Sequence, residues 1–102
     1  MSSEVKYTQP STTALLHAAK ICTTEDKPLM LDYWMDSLPK ENDEPCTVLI
    51  GVRENSEKLL VKSEDEYTSP ISKIYQIESE YLIVTENSLY IVSKSIPTKR
   101  IS

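Results

Sequence analysis

Few side chains in this sequence are of the types that carry out catalysis. His17 is the single histidine, so a serine or cysteine nucleophile with an imidazole base would have to use it. It lies within a stretch of helical spacing, where a solvated or half-packed histidine is the ordinary interpretation. A metal site with several imidazole ligands is excluded by the count. We therefore predict no catalytic residues, no cofactor and no metal.

Carboxylates are the next candidates for chemistry. Asp32 and Asp36 could combine with Glu25 or Asp26 for acid–base catalysis or for binding a hard cation. Paired carboxylates are also common on solvated surfaces, and this is the interpretation we adopt. A small enzyme with a carboxylate-based site stands as an alternative. The acidic run at 64–66 is interpreted as solubilising, with docking to a basic partner as its alternative.

Trp34 and its neighbours are the best candidates for a binding site. Tyr33 and Trp34 are adjacent aromatics, and in a strand they would point to opposite faces, one inside and one outside. An outward Trp34 flanked by Asp32 and Asp36 is typical of the anchor of a protein interface. The more ordinary interpretation places Trp34 in the core or beneath a helix. We predict Trp34, Asp32 and Asp36 as partner-binding candidates.

The clearest helix signal in the chain precedes these residues. Residues 1–10 are interpreted as a polar arm, and Ser11 or Thr12 can cap the first turn of a helix over 11–24. An apolar stripe with helical spacing follows, with Ile21 beside it: Leu15, Ala18, Ala19 and Cys22. Pro28 prevents much continuation of the helix.

Residues 28–38 fit either a strand or a helix. An apolar face that contains Leu31 and Trp34 would suit a helix, whereas the aromatics suit a pleated surface. We favour the strand because Lys27 precedes a proline and is biased towards extended geometry. Residues 39–45 are bounded by prolines and contain no apolar residue, so they predict a loop.

From residue 46 onward the pattern is typical of β structure, with short apolar segments separated by polar turns at roughly ten-residue spacing. The hairpin at 81–92 is apolar on both faces, which predicts a central element covered on both sides. We expect Asn87, in its turn, to adopt a positive φ, because the chain has one glycine.

These elements predict one globular domain over 11–95, with a β-rich part at 28–94 and a C-terminal tail at 96–102. The fold class is α+β and mostly β: an N-terminal helix packed on an antiparallel meander of about five or six strands, closed into a small SH3-like barrel. The predicted core consists of Leu15, Ala19 and Cys22 from the helix, and of Leu31, Val48, Ile50, Val52, Leu60, Ile74, Ile83, Val84, Ile91 and Val92.

Composition narrows the classes of partner. The net charge is −5, which gives no basic field for nucleic acid, and the scarcity of glycine excludes a glycine-rich phosphate loop. Cys22 and Cys46 do not form a disulfide framework, so we expect a reducing, cytoplasmic compartment. Residues 1–13 are polar and do not resemble a signal peptide, and no apolar run is long enough to cross a membrane.

Two short segments of the chain are distinctive. Residues 68–71, Thr-Ser-Pro-Ile, precede a hairpin that is followed by residues 85–90, Thr-Glu-Asn-Ser-Leu-Tyr. This order resembles a pattern in small uncharacterised proteins of large DNA viruses and phages with an SH3-like small barrel, and residues 9–16 are similar to the same group. The resemblance implies a viral accessory or virion component, located in the virion or the infected-cell cytoplasm. It implies no catalytic residues.

The leading functional prediction is a non-enzymatic protein-interaction or structural module, with a protein partner or a second copy of the chain. A nucleic-acid-associated barrel is the alternative, and it would need a local basic face such as Lys58, Lys62, Lys73 and Lys94. Because acidic residues exceed basic ones, we expect weak or no binding to DNA or RNA at physiological salt.

Overall fold

The computed structural model describes residues 9–38 and 47–101. The described residues form two helices, α1 (Thr12–Glu25) and α2 (Trp34–Ser37), and eight strands: β1 (Leu29–Met30), β2 (Leu49–Val52), β3 (Lys58–Ser63), β4 (Glu66–Tyr67), β5 (Ile71–Ile77), β6 (Glu80–Thr85), β7 (Leu89–Ser93) and β8 (Thr98–Arg100). The predicted fold class, α+β and mostly β, is confirmed. The expected loop at 39–45 and Cys46 lie outside the described residues.

Helix α1 begins at a side-chain cap and ends at a left-handed residue. Ser11 is extended, and its Oγ accepts a hydrogen bond from the Ala14 amide at 3.1 Å, as an N-cap residue does. At the other end Asp26 has φ 56°. The bounds agree closely with the helix predicted over 11–24.

A buried glutamate ties the start of α1 to the first sheet. Glu80 of β6 is 5% exposed, and its carboxylate accepts from the Ser11 amide at 3.2 Å and from the Ser11 hydroxyl at 2.9 Å. A carboxylate at a helix N-terminus is favourable because the free amides there carry partial positive charge. The contact therefore fixes where α1 enters the fold.

The strands form two four-stranded sheets. The first sheet has the order β1-β7-β6-β5 and the second has the order β4-β3-β2-β8. Both are mixed, because β1 runs parallel to β7 and β8 runs parallel to β2. The expectation of a purely antiparallel meander was therefore wrong at these two edges. Neither sheet closes on itself within the described residues, so the SH3-like barrel is not confirmed.

The first sheet lies between α1 and the second sheet. Alternate residues of its central hairpin divide between two clusters. Leu82 and Ile91 pack with Ala14 and Ala18 of α1, and Ile83 packs with residues of β2 and β3. The remaining buried members on the α1 side are Trp34, Val84 and Leu89, and those on the second-sheet side are Tyr33, Val48, Ile50, Leu60, Val92 and Ile96. The prediction that the 81–92 hairpin is covered on both sides is confirmed.

Three predicted core residues lie at the surface. Leu31 is 39% exposed and Ile74 is 37% exposed, and Ala19 is also exposed. Ile74 is on β5, which lies at a sheet edge, and α1 is rotated so that Ala14 replaces Ala19 on its buried face. Burial therefore follows the position of an element in its layer as well as its apolar pattern.

Two boundaries also differ from expectation. Only Leu29–Met30 of the segment 28–38 forms a strand, and Trp34–Ser37 is a helical turn, so the preferred strand was wrong over most of its length. The predicted tail at 96–102 contains buried Ile96 and the edge strand β8. The C-terminal residues therefore complete the second sheet.

Three residues other than glycine adopt positive φ: Asp26, Ser56 and Glu78, at 56°, 71° and 54° among the described residues. Asn87 is not one of them, so the expected left-handed turn there was wrong. Its Nδ2 instead donates to Ser69 Oγ at 2.8 Å, which joins the two distinctive segments noted in the sequence. The turn between β6 and β7 is held by Thr85 and Ser88, whose backbone and hydroxyl groups bond each other.

Glu78→Gly is expected to raise the free energy of unfolding by about 0.5–1 kcal/mol, because an L side chain in the left-handed region is strained and glycine is not. Asn87→Gly is the matched control, since it relieves no strain and removes the bond to Ser69. Urea melts of both variants check this. Stabilisation by Asn87→Gly but not by Glu78→Gly would contradict it.

Candidate functional site

Trp34, the predicted anchor, is part of the core. It is 3% exposed and packs in the α1-side cluster with Ala14 and Leu89. The helical turn that begins at Trp34 directs its ring inward, whereas Asp32 stays exposed. Trp34 therefore lies in the core, as the more ordinary interpretation of the sequence held, and does not form an outward surface anchor.

Asp36 and the backbone at Asp32 are linked by one lysine. The ammonium of Lys62 lies 3.3 Å from Asp36 Oδ2 and 3.9 Å from Glu66 Oε2, donates to the Asp32 carbonyl at 3.1 Å, and lies 5.0 Å from the centre of the Tyr33 ring. This arrangement pins α2 to β3. That Asp32 and Asp36 bind a partner stays a prediction. The ammonium group of Lys62, the lysine nearest to them, already makes the contacts given above within the chain.

An apolar sheet surface was not anticipated from the sequence. Side chains of β2 and β3 alternate between the two faces of the second sheet. Those that do not face the core lie on its outer face. Register places Gly51 opposite Leu59 and Leu49 opposite Val61, and Val61 is opposite Tyr67 of β4. Solvated faces of antiparallel sheets are usually polar. We call this surface the outer face, and it requires a functional explanation.

The outer face contains a groove of about 580 Å³. Its lining residues are Arg53, Leu59, Val61, Ser63, Glu64, Tyr67 and Ile101. Leu59 is 2% exposed yet belongs to neither core cluster, so it forms part of the groove floor. Tyr67 and Ile101 are 53% and 41% exposed and present apolar surface to solvent beside it.

Gly51 sets the depth of this surface. A Cβ built on Gly51 would lie 2.7 Å from Cδ1 of Ile101 and 3.1 Å from Cγ2 of Val61, and both distances are below ordinary contact. The absence of a side chain lets Ile101 lie against the sheet backbone. The single glycine of the chain is therefore a close-approach position.

Basic residues border the groove on the β8 side. Lys99 pairs with Gly51 across the parallel β2–β8 ladder, so it shares the outer face, and Arg100 follows at the exposed edge. Among the described residues neither Lys99 nor Arg100 forms an ion pair, whereas Arg53 lies 3.4 Å from Glu57. In a chain with net charge −5, this edge carries uncompensated positive charge.

The other reactive side chains are far less suited to chemistry. His17 is exposed on α1, and its Nδ1 lies 2.9 Å from the Thr13 carbonyl. Burial raises the pKa of the Cys22 thiol, which disfavours the nucleophilic thiolate. Within 9–38 and 47–101 no three His, Cys, Asp or Glu residues are grouped as metal ligands. No described helix is long and apolar enough to cross a membrane.

The signal for the outer face was present in the sequence but was ambiguous. Leu59 and Leu60 are adjacent, and neighbouring side chains of a strand point to opposite faces, so one of the two must point away from the core. Gly51 within an apolar strand also indicates close approach of another group. The group that approaches is Ile101, fifty positions away, and no local pattern could pair the two.

Comparison with family models, with curated proteins and with solved structures finds no match. The resemblance to small viral proteins therefore stays a prediction.

The contact between Gly51 and Ile101 gives a testable coupling. Gly51→Ala is expected to be neutral or destabilising in the parent, because the new methyl group meets Ile101. In an Ile101→Ala background the same change should stabilise by about 0.5 kcal/mol, since alanine loses less entropy than glycine in a strand. A double-mutant cycle of denaturant melts measures the coupling. Additive effects of the two changes would contradict the contact.

Proposed function

We propose that this chain is a non-enzymatic binding module that takes up an extended, acidic and apolar protein segment at the β8 edge of the outer face. The observation that carries the proposal is the coincidence of an apolar groove with an open strand edge and unpaired cations. A viral accessory role is compatible with this proposal and rests on the sequence resemblance.

Strand β8 supplies the backbone side of the site. It bonds to β2 on one side, and no described strand pairs with its other side. An extended peptide can add to such an edge through main-chain hydrogen bonds. Its alternate side chains would then fall on the outer face, next to Lys99 and Ile101.

The groove and its border set the side-chain preference. An apolar side chain of the partner would cover Ile101, which borders the groove. An acidic side chain on the outer face would meet Lys99, and one on the opposite face of the added strand would meet Arg100; neither cation has a counter-ion among the described residues. Charge complementarity of this kind favours one class of partner and speeds encounter.

The test uses two capped peptides, one alternating leucine with glutamate and the other leucine with lysine. Calorimetric titration should show binding of the glutamate peptide and much weaker binding of the lysine peptide. Lys99→Glu should weaken binding of the glutamate peptide severalfold, while Lys20→Glu, the same change at an exposed position of α1, should have little effect on binding.

Two results would overturn the proposal. An equal loss of affinity for the glutamate peptide in Lys99→Glu and Lys20→Glu would mean that net charge alone governs binding. Tight, salt-sensitive binding of a single-stranded oligonucleotide with no binding of the glutamate peptide would favour the nucleic-acid-associated alternative.

A further inference from the structure

Strand β5 is an unusual edge. It has seven residues, Ile71–Ile77, and bonds only to β6 among the described strands. The other sheet edges, β1, β4 and β8, have two, two and three residues. Proteins normally keep open edges short or cover them, because free backbone groups invite pairing. A long edge without a second strand bonded to it therefore indicates a partner strand.

The hairpin geometry shows which backbone groups are free. A two-residue turn, Glu78–Ser79, joins β5 to β6, and Ile77 pairs with Glu80. That flanking pair is hydrogen-bonded in such a hairpin, and bonded and non-bonded pairs alternate along the ladder. Tyr75 is therefore bonded to β6, while the amide and carbonyl groups of Ile74 and Gln76 point to the open edge.

The sequence of β5 complements itself when read in the opposite direction. An antiparallel copy centred on Ile74 places Ile74 opposite Ile74, Lys73 opposite Tyr75 and Ser72 opposite Gln76. Each pair matches in kind: apolar with apolar, polar with polar, and a cation with an aromatic ring. The outward backbone groups of Ile74 also fall at the centre of this register.

We propose that two copies of this chain pair through β5 about a twofold axis at Ile74, which joins their first sheets into one continuous sheet. The interface is self-complementary, as a twofold contact requires. The 37% exposure of Ile74 is explained by this pairing, since each isoleucine covers the other. The bulge between Ile71 and Lys73 ends the regular ladder at Ser72, and Lys73 limits pairing in other registers.

The inference is independent of the groove, which is on the other sheet, and a separate measurement tests it. Sedimentation across a range of concentrations should show a shift from the monomer mass of 11.6 kDa to that of a dimer. Ile74→Lys places two like charges at the axis and should abolish the shift. Leu16→Lys, the same kind of change at an exposed apolar residue of α1, should leave it unchanged.

Hydrogen exchange on the unaltered chain avoids any folding defect of the variant. The amides of Ile74 and Gln76 should exchange quickly in dilute solution and slow at least tenfold as concentration rises. Tyr75, bonded to β6 in both states, is the internal control. A monomer at every concentration, a dimer that survives Ile74→Lys, or exchange of Ile74 and Gln76 that ignores concentration would each overturn the proposal.

Discussion

Ile83→Ala is expected to lower the free energy of unfolding by about 2–5 kcal/mol, because it removes a fully buried side chain and leaves a cavity. Ile83 is 0% exposed and lies on the central strand β6 between Ile74 of β5 and Tyr90 of β7. Against a total stability of about 5–15 kcal/mol, this change is large enough to unfold a marginal domain.

Ile101→Ala is the matched control for Ile83→Ala. Ile101 is 41% exposed and its neighbours are in the groove, so its truncation should cost much less than that of Ile83. Urea melts with a common m-value compare the two. Equal losses would mean that β6 is not the centre of the core.

Alkaline pH is expected to destabilise the fold through Tyr33. Burial raises the pKa of Tyr33 from 10.0 to about 12, and Tyr90, Glu66 and Asp32 add to the shift. The stability that depends on neutral Tyr33 is fully present below about pH 10, where tyrosine titrates in the unfolded chain, and is lost as the pH rises through about 12. The loss is on the order of 2 kcal/mol.

Tyr33→Phe isolates this contribution. The variant has no phenol to ionise at position 33, so its stability should fall less steeply over the same pH window. Some fall should remain, because burial also raises the pKa of Tyr90, whose ring lies 5.3 Å from that of Tyr33. Denaturant melts at a series of alkaline pH values measure both slopes. Parallel slopes for parent and variant would contradict the assignment.

The hairpin and the helix could be predicted because their signals are local. Ser11 caps α1, and the apolar run on both sides of Asn87 requires cover on both faces. Tertiary contacts decided what the sequence could not. Trp34 turns inward because the chain winds into a helical turn that Lys62 pins to β3, and these groups are distant in sequence.

The edge strands of the two sheets could not be predicted from the sequence either. Parallel pairing of β8 with β2 joins the C-terminal segment to a strand near the middle of the chain, and nothing in residues 96–102 alone indicates that partner. Ile74 was predicted to be a core residue because its strand has an apolar pattern. Its position at an open edge became visible only once β6 was known to be paired with β7.

The two binding surfaces are on different sheets and use different chemistry. The outer face combines a groove with Lys99, and Arg100 lies on the other face of the same edge strand, whereas β5 offers a self-complementary strand edge. Binding of a partner segment and pairing of two copies are therefore compatible in one assembly. Variants at Lys99 and at Ile74 separate the two activities.

The partner segment is expected to dock on the outer face, and mapping of backbone amide shifts is the sharpest test of this docking. Titration with the leucine–glutamate peptide should move the amides of Gly51, Val61, Tyr67, Lys99 and Ile101. The amide signals around Asp32 and Asp36 should stay in place. Shifts centred on Asp32, Asp36 and α2, with the outer face unchanged, would contradict it.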